Sequence, residues 1–385
     1  MNEPIWIVAA KRTVQGRFLG KLSRLSAVDL GVAAGEAVLK GLDMEAVDQV
    51  IAGNVLSAGL GMNVARQIGI RLGLPVRAPA FTVNMMCASG MQAVALGAQA
   101  IRAGEAGVVL CGGTESMSNA PYLLERARSG YKLGDGVLVD SLLRDGLVDS
   151  FANEHMGITA ERLAAEYGLS RGEQDACAVR SHRRHAEALA RGAFAAETVA
   201  AGDCQSDEHP RPETTVEDLG KLKPAFHNEG TVTPGNASGI NDGAAMLLVC
   251  SADEGRRRGW KPLAVMTGWV AEGCDPARMG LGPVHAARAL CRKRKSTLGD
   301  YDLIELNEAF AAQALACLRE LGLEADDPRV NRDGGAIAVG HPIGASGARL
   351  LVHLAHALAG RQARRALAAL CVGGGMGIAM ELERG

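Results

Sequence analysis

Short apolar runs recur along the chain, and the stretches between them carry small and apolar residues at helical spacing. Ile5–Ala10, Gln49–Ala52, Gly107–Cys111, Ala245–Val249, Leu303–Leu306 and Ala366–Val372 are too short for buried helices and read as buried strands. Ala88–Ala103 and Gly347–Ala359 read as helices. Alternation of this kind predicts an α/β protein whose sheets are covered by helices.

The pattern occurs twice in the same order. Asp48-Gln49-Val50-Ile51 leads to Asn54; Val83-Asn84 then precedes Ala88-Ser89-Gly90, a helix, and a strand ending Leu110-Cys111-Gly112-Gly113. Far downstream, Asp302-Leu303-Ile304-Glu305 leads to Asn307. Val330-Asn331 then precedes Ala345-Ser346-Gly347, a helix, and Leu370-Cys371-Val372-Gly373-Gly374. Each match is short, and their shared order is what argues for a duplicated α/β unit, one copy at each end. Between the copies, from about Ala120 to Ile240, lie glycine-bearing turns (Gly130, Gly134, Gly136, Gly146) and a polar, proline-bearing stretch from Gly202 to Glu217. One strong helix interrupts this region: Ser170 and Glu173 form a capping-box pattern, and Gly192 marks the stop. It reads as an insertion that either supplies a substrate-binding surface or simply covers the core.

Composition narrows the function. With 48% hydrophobic and 22% charged residues over 385 positions, the chain is an ordinary globular one. A formal net charge of −2 gives no field that would favour nucleic acid or an anionic membrane. No run approaches the roughly 20 apolar residues of a membrane span. The N-terminal apolar run, followed by Lys11-Arg12, is too short for a signal peptide, and the final residues are not a peroxisomal tripeptide. Nine scattered cysteines without a C-x-x-C pair signal neither zinc nor a disulfide framework. The expectation is a soluble, cytoplasmic protein with no metal.

Several of those residues sit where chemistry is expected. Cys87 lies where an apolar strand turns into a small-residue helix; the helix dipole there is expected to lower its pKa below about 8.5. An inert buried cysteine is the competing reading. His341 lies in the glycine-dense segment Gly334–Gly347, just before a helix. It suits a general base or an oxyanion donor, or a turn histidine bonded to backbone. Cys371 ends a strand and opens Val372-Gly373-Gly374-Gly375-Met376-Gly377, which reads as a glycine hairpin whose N–H groups face a ligand. Asn307 and Glu308 follow a buried strand: Asn307 is either a helix cap or the holder of an active-site water. Asn236 and Ser238 lie in the polar loop Gly235–Gly243, fit either to contact a ligand's amides or to form a plain turn. His182 and His185 sit on the middle helix with no evident partner, and a metal site is not expected there.

Together these segments resemble the thiolase family, close to its short-chain branch, over nearly the whole chain. The matching blocks are Val83-Asn84-x-x-Cys87-x-Ser89-Gly90, His155-Met156-Gly157, Gly235–Gly243, Asn307-Glu308-Ala309-Phe310, Gly340-His341-Pro342-x-Gly344 and Cys371-x-Gly373-Gly374-Gly375-x-Gly377. The resemblance implies two five-stranded α/β halves in αβαβα layers with an inserted loop domain. The first half would span residues 1–119, completed by about 241–262; the CoA-binding insertion 120–240; the second half 263–385. It implies that Cys87 attacks a thioester carbonyl with activation by His341, and that Cys371 moves a proton at the α-carbon. One oxyanion would be held by His341 and a water on Asn307, the other by the N–H groups of Cys87 and Gly373. Ser238 would bind the pantetheine arm and Arg211 would lie along the adenine end. Met156, Met279 and Phe310 would line the acyl pocket, with His155 close by. Pro234 departs from the alanine usual in short-chain relatives and would narrow the pantetheine tunnel.

What the resemblance implies is acetyl-CoA C-acetyltransferase activity, with CoA as substrate or product, no bound cofactor and ping-pong kinetics. A longer-chain 3-ketoacyl-CoA thiolase of fatty-acid or aromatic degradation is the alternative. A decarboxylating ketoacyl synthase would carry histidine where Cys371 stands. A non-catalytic CoA-binding subunit would lack the nucleophile or the histidine loop. The family implies a homodimer or a dimer of dimers.

Overall fold

The computed structural model describes residues 4–360 and 363–385. β1 (Ile5–Thr13), β2 (Gln49–Gly53), β3 (Ala80–Val83), β4 (Val108–Ser116) and β5 (Asn241–Ser251) form one half of a sheet in the order β3-β2-β4-β5-β1. β6 (Ala264–Gly273), β7 (Leu303–Leu306), β8 (Arg365–Val372) and β9 (Met376–Arg384) form the other in the order β6-β9-β8-β7. The strands read from the sequence are all present; β4 and β5 run longer, because their polar ends are buried as well.

β1 and β6 pair antiparallel, with Ile5 opposite Met266, and so join the halves into one sheet. Outward from this seam both halves repeat the same directions. β1 with β5 and β5 with β4 are antiparallel, and β4 with β2 and β2 with β3 are parallel. β6 with β9 and β9 with β8 are antiparallel, and β8 with β7 is parallel. The second half departs from the expected five strands. Its outermost member is only a parallel bridge between Ile304 and Val330. Asn331 ends the extended segment there: its φ is 42°, and its side chain is bonded to both Leu306 N and Leu306 O at 2.8 Å.

Helices complete the layers, the longer ones being α1 (Ala27–Leu39), α2 (Ser89–Arg102), α3 (Met156–Glu166), α4 (Arg171–Ala190), α5 (Gly282–Arg294), α6 (Ala311–Leu321) and α7 (Ile343–Gly360); the shorter Val64–Arg71 packs beside α1. α2 and α7 lie between the half-sheets. Met91 and Val94 of α2 and Leu351 and Leu354 of α7 share one buried cluster with Ile5, Val109 and Leu370. α1 covers the outer face of the first half, and α5 and α6 that of the second. α7 starts at Ile343, earlier than the expected Gly347. Gly344, which reads as loop, is a helix position, and α2 passes close by: a Cβ on Gly90 would lie 2.9 Å from Ala348 N and Gly344 O.

The segment between β4 and β5 carries α3, α4 and a small hairpin, Tyr122–Leu124 with Leu138–Asp140. α4 has the Ser170–Glu173 capping box expected of it. A buried ionic cluster fastens this segment to the core. Arg12 of β1 bonds Glu197 at 2.7 Å and Asp207 at 2.8 Å. His353 of α7 lies 2.9 Å from Glu197 and 3.4 Å from Asp333. No helix among the described residues is long and apolar enough to cross a membrane.

Burial alone would push the His353 imidazole down, but the Glu197 charge and hydrogen bonds to Asp333 and Glu197 hold it up at about 10. A raised histidine contributes stability that is complete below its unfolded value of about 6.5 and is lost as pH rises through its folded value. The urea midpoint is therefore expected to fall between about pH 6.5 and pH 10, and to fall less in His353→Asn. Equal slopes in the two proteins would show that His353 is not charged in the folded state. Arg12→Met leaves two buried carboxylates without their guanidinium and should cost about 3–5 kcal/mol in the same measurement.

Candidate active site

The turn from β3 into α2 is set by Ser89. Its hydroxyl accepts from Met85 N at 2.9 Å and donates to Met86 O at 2.6 Å, while Asn84 Oδ1 accepts from Met86 N at 3.0 Å. The tight turn puts Met86 at φ 47°, a left-handed conformation for a non-glycine residue, and projects Cys87 toward a cavity. The sequence reading did not identify this strained turn.

His341 comes from the opposite half. Asn241 Oδ1 accepts from His341 N at 2.9 Å. Gly340 makes that contact possible: its φ is 105°, and a Cβ there would lie 2.5 Å from Asn241 Cγ. The imidazole Nδ1 is 2.5 Å from Ser346 Oγ, and Ser346 donates its single proton to Pro342 O at 2.8 Å. Nδ1 must then be the donor in its pair, which leaves Nε2 as a lone-pair acceptor. Burial, with Arg349 adding to it, pushes the ring down to about 4, so it is neutral at ordinary pH.

These side chains meet at a cavity of about 520 Å³, within the range of small-molecule sites. Cys87, His341, Cys371 and Gly373 all line it. There His341 and Cys371 are only 7% and 1% exposed, whereas the lining residues Arg17, Arg211 and Pro234 are solvent-exposed. Met156, Met279, Phe310 and His155 form the walls, and Ser238 also faces the cavity. Asn307 does not line it. Asn307 lies fully buried behind it, and neither its amide oxygen nor its amide nitrogen has a hydrogen-bond partner in the protein. Nor is Asn307 a helix cap, since Phe310 occupies the cap position of α6.

The expectation of a lowered Cys87 pKa is overturned. Burial pushes the thiol up to about 11, outweighing the N–H groups of Gly373 and Cys87 itself, and the nearby Glu115 charge adds to the rise. Burial likewise holds Cys371 well above the ordinary thiol range, with the Cys87 sulfur contributing. The resting site is therefore a pair of neutral thiols beside a neutral imidazole. Cys371 is the last residue but one of β8, which ends at Val372 before a hairpin turn into β9.

Other candidates resolve differently. Asn236 is spent on structure, donating to Asp175 at 2.9 Å and accepting from Thr233 N at 2.8 Å. His182 Nδ1 accepts from Arg211 N at 3.2 Å, and His185 stacks on Phe194 with ring centroids 4.8 Å apart. Phe226, which the sequence reading missed, stacks on His155 at 4.6 Å and meets Phe310 edge-on at 6.2 Å. No local motif marks it, because its role comes from packing.

Family models for the thiolase N-terminal domain and the thiolase C-terminal domain match residues 5–253 and 260–384. The chain belongs to the thiolase family. An acetyl-CoA acetyltransferase of Pseudomonas aeruginosa is 50% identical over 99% of this chain and 100% of its own length. The crystal structure of the Bacillus anthracis acetyl-CoA acetyltransferase superposes with a TM-score of 0.96 at 39% identity, covering 100% of both chains. That of human mitochondrial 3-ketoacyl-CoA thiolase in complex with CoA gives 0.96 at 44% identity, covering 100% of this chain and 98% of that one. This thiolase fold explains why two dissimilar loops, from β3 and from α7, converge on one cavity.

The Ser346 hydroxyl fixes the His341 tautomer, so Ser346→Ala should lower kcat about tenfold or more while KM moves less than about twofold. Unchanged kcat would show that the tautomer is fixed by something else.

Proposed function

We propose that this thiolase is an acetyl-CoA C-acetyltransferase. It would condense two acetyl-CoA to acetoacetyl-CoA and CoA, and run the reverse thiolysis. The observation that carries the reading is the shared cavity: Cys87, His341, Cys371 and Gly373 all face one space.

His341 Nε2 takes the Cys87 proton as the sulfur attacks the thioester carbonyl. The CoA thiolate leaves and takes the proton of Cys371, so that an acyl-Cys87 thioester remains beside a Cys371 thiolate and a protonated His341. Cys371 then removes the α-proton of a second acetyl-CoA. The resulting carbanion attacks the acyl-Cys87 carbonyl, and Cys87 leaves as a thiolate that regains its proton from His341. Gly373 N–H and Cys87 N–H stabilise the oxyanion on the acyl-enzyme. Protonated His341 and a water on Asn307 stabilise the one on the enolate; the unpartnered Asn307 amide supports this. Donors of this kind are typically worth roughly 10²–10³ in rate. Covalent capture predicts ping-pong kinetics.

Ser238 would hold the pantetheine arm and Arg211 the adenine end, with Met156, Met279, Phe310 and His155 around the acyl group. The insertion 120–240 would supply most of the CoA surface between halves 1–119 and 263–385, the first completed by about 241–262. Pro234, exposed at the cavity wall, would narrow the tunnel. The compartment proposed is the cytoplasm, and the assembly a homodimer or dimer of dimers. β3 supports assembly, as it ends the sheet without a further neighbour among the described residues and exposes Phe81.

A second reading, a longer-chain 3-ketoacyl-CoA thiolase, is favoured by the 44% identity to the human mitochondrial enzyme of that name. Thiolysis of acetoacetyl-CoA and 3-ketohexanoyl-CoA by free CoA separates the two. Fast cleavage of the four-carbon substrate, abolished in Cys87→Ala, is the expected result. Faster cleavage of the six-carbon substrate would move the enzyme to the second reading. Activity that survives Cys87→Ala would overturn both.

A further inference from the structure

Behind the reactive end of the cavity lies a carboxylate that the mechanism does not use. Glu115 of β4 is fully buried. Its Oε1 accepts from Asn54 Nδ2 at 2.8 Å and Leu56 N at 3.1 Å; its Oε2 accepts from Val55 N at 3.0 Å and Gly344 N at 2.9 Å. All four partners are N–H donors, so this environment solvates the ionised form, and none of them could accept from a protonated carboxyl.

The Gly344 contact crosses between the halves. Gly344 is the second residue of α7, three residues after His341 and two before Ser346. N–H groups of a first helical turn have no partner within their own helix. A carboxylate at that end also opposes the positive pole of the helix. The first half thus holds the histidine turn at two points: Asn241 at His341 N, and Glu115 at Gly344 N. Val55, Leu56 and Ile343 pack in one small apolar cluster, against which Cys87 lies. Glu115 accepts from the backbone of Val55 and Leu56 in that cluster, and its charge reaches Cys87.

We propose that Glu115 is a positioning residue for the acyl-transfer chemistry, fixing the His341–Ser346 turn through Gly344 while its negative charge opposes ionisation of Cys87. The proposal rests on the reading of Cys87 and His341 given above. Burial pushes the Glu115 carboxyl up to about 7, against the N–H groups of Leu56, Val55 and Gly344, and the Asp242 charge adds to the rise. Asp242 is the other charged group acting on it; His341 and Cys371 share the surroundings of Cys87.

The test uses the full-length protein with Glu115→Gln and Glu115→Asp. Two quantities are read: thiolysis kcat and KM, and the pH dependence of Cys87 alkylation by iodoacetamide, followed on the Cys87 peptide. Glu115→Gln sets an NH2 against backbone N–H groups and removes the charge. It should lower kcat at least tenfold, leave KM within about twofold, and move the alkylation inflection down by about one pH unit. Glu115→Asp keeps the charge but draws it back from Gly344, so kcat should fall while the inflection stays. Slower turnover beside a more reactive thiol is a combination that a general loss of packing does not produce.

Wild-type kcat in either variant would overturn the positioning role. A lower kcat with the same inflection in Glu115→Gln as in the parent would overturn the charge role. If Glu115→Gln does not fold, Glu115→Asp carries the test: an unchanged kcat, or an inflection that moves with the charge retained, refutes the proposal. The alkylation readout is independent of turnover. Should neither thiolysis nor alkylation of Cys87 be found in the parent protein, the reading of the site fails instead.

Discussion

Everything at the active site depends on how closely two helix starts approach. α2 and α7 meet through backbone: Gly90 has Ala348 N and Gly344 O at a distance no side chain would permit. That contact carries the β3–α2 turn and the α7 turn into the same space, and so sets Cys87 opposite His341. Substituting larger residues along this seam would separate the two helices and with them the two reacting groups. The abundance of glycine and alanine in the chain is thus a requirement of the middle layer.

Around that contact the structure divides its labour by half. The first half supplies Cys87 and, through Asn241 and Glu115, the anchors of the His341 turn. The second supplies His341, Cys371 and Gly373. Neither half lines the cavity alone. A gene duplication can produce such a division, because the equivalent elements of the two copies face each other across the middle layer and are free to specialise.

Much of this was legible in the sequence. Apolar runs located the central strands, and the order of short matches revealed the duplication. The residues of the cavity were found from a handful of blocks, Cys87, His341, Cys371, Ser238 and Met156 among them. What failed did so for physical reasons. The helix-dipole argument for Cys87 considered one local field, whereas the loss of solvent around the sulfur is larger. Gly344 reads as loop because glycine disfavours helix, yet it is a helix position where a Cβ would meet Glu115 and Thr114 O. Glu115 and Phe226 gave no signal, because their partners lie far away in the chain. The fifth strand of the second half shrank to one bridge because Asn331 turns the backbone aside, which strand propensity does not report.

The neutral resting pair has a consequence for survival of the enzyme. Peroxides and electrophilic metabolites attack thiolates far faster than thiols. A sulfur kept protonated in the free protein is a poor target for them, even at a cavity end that must admit substrate. On the proposed mechanism the anion exists only while an acyl group is arriving or departing, so the enzyme exposes its most vulnerable form only while occupied.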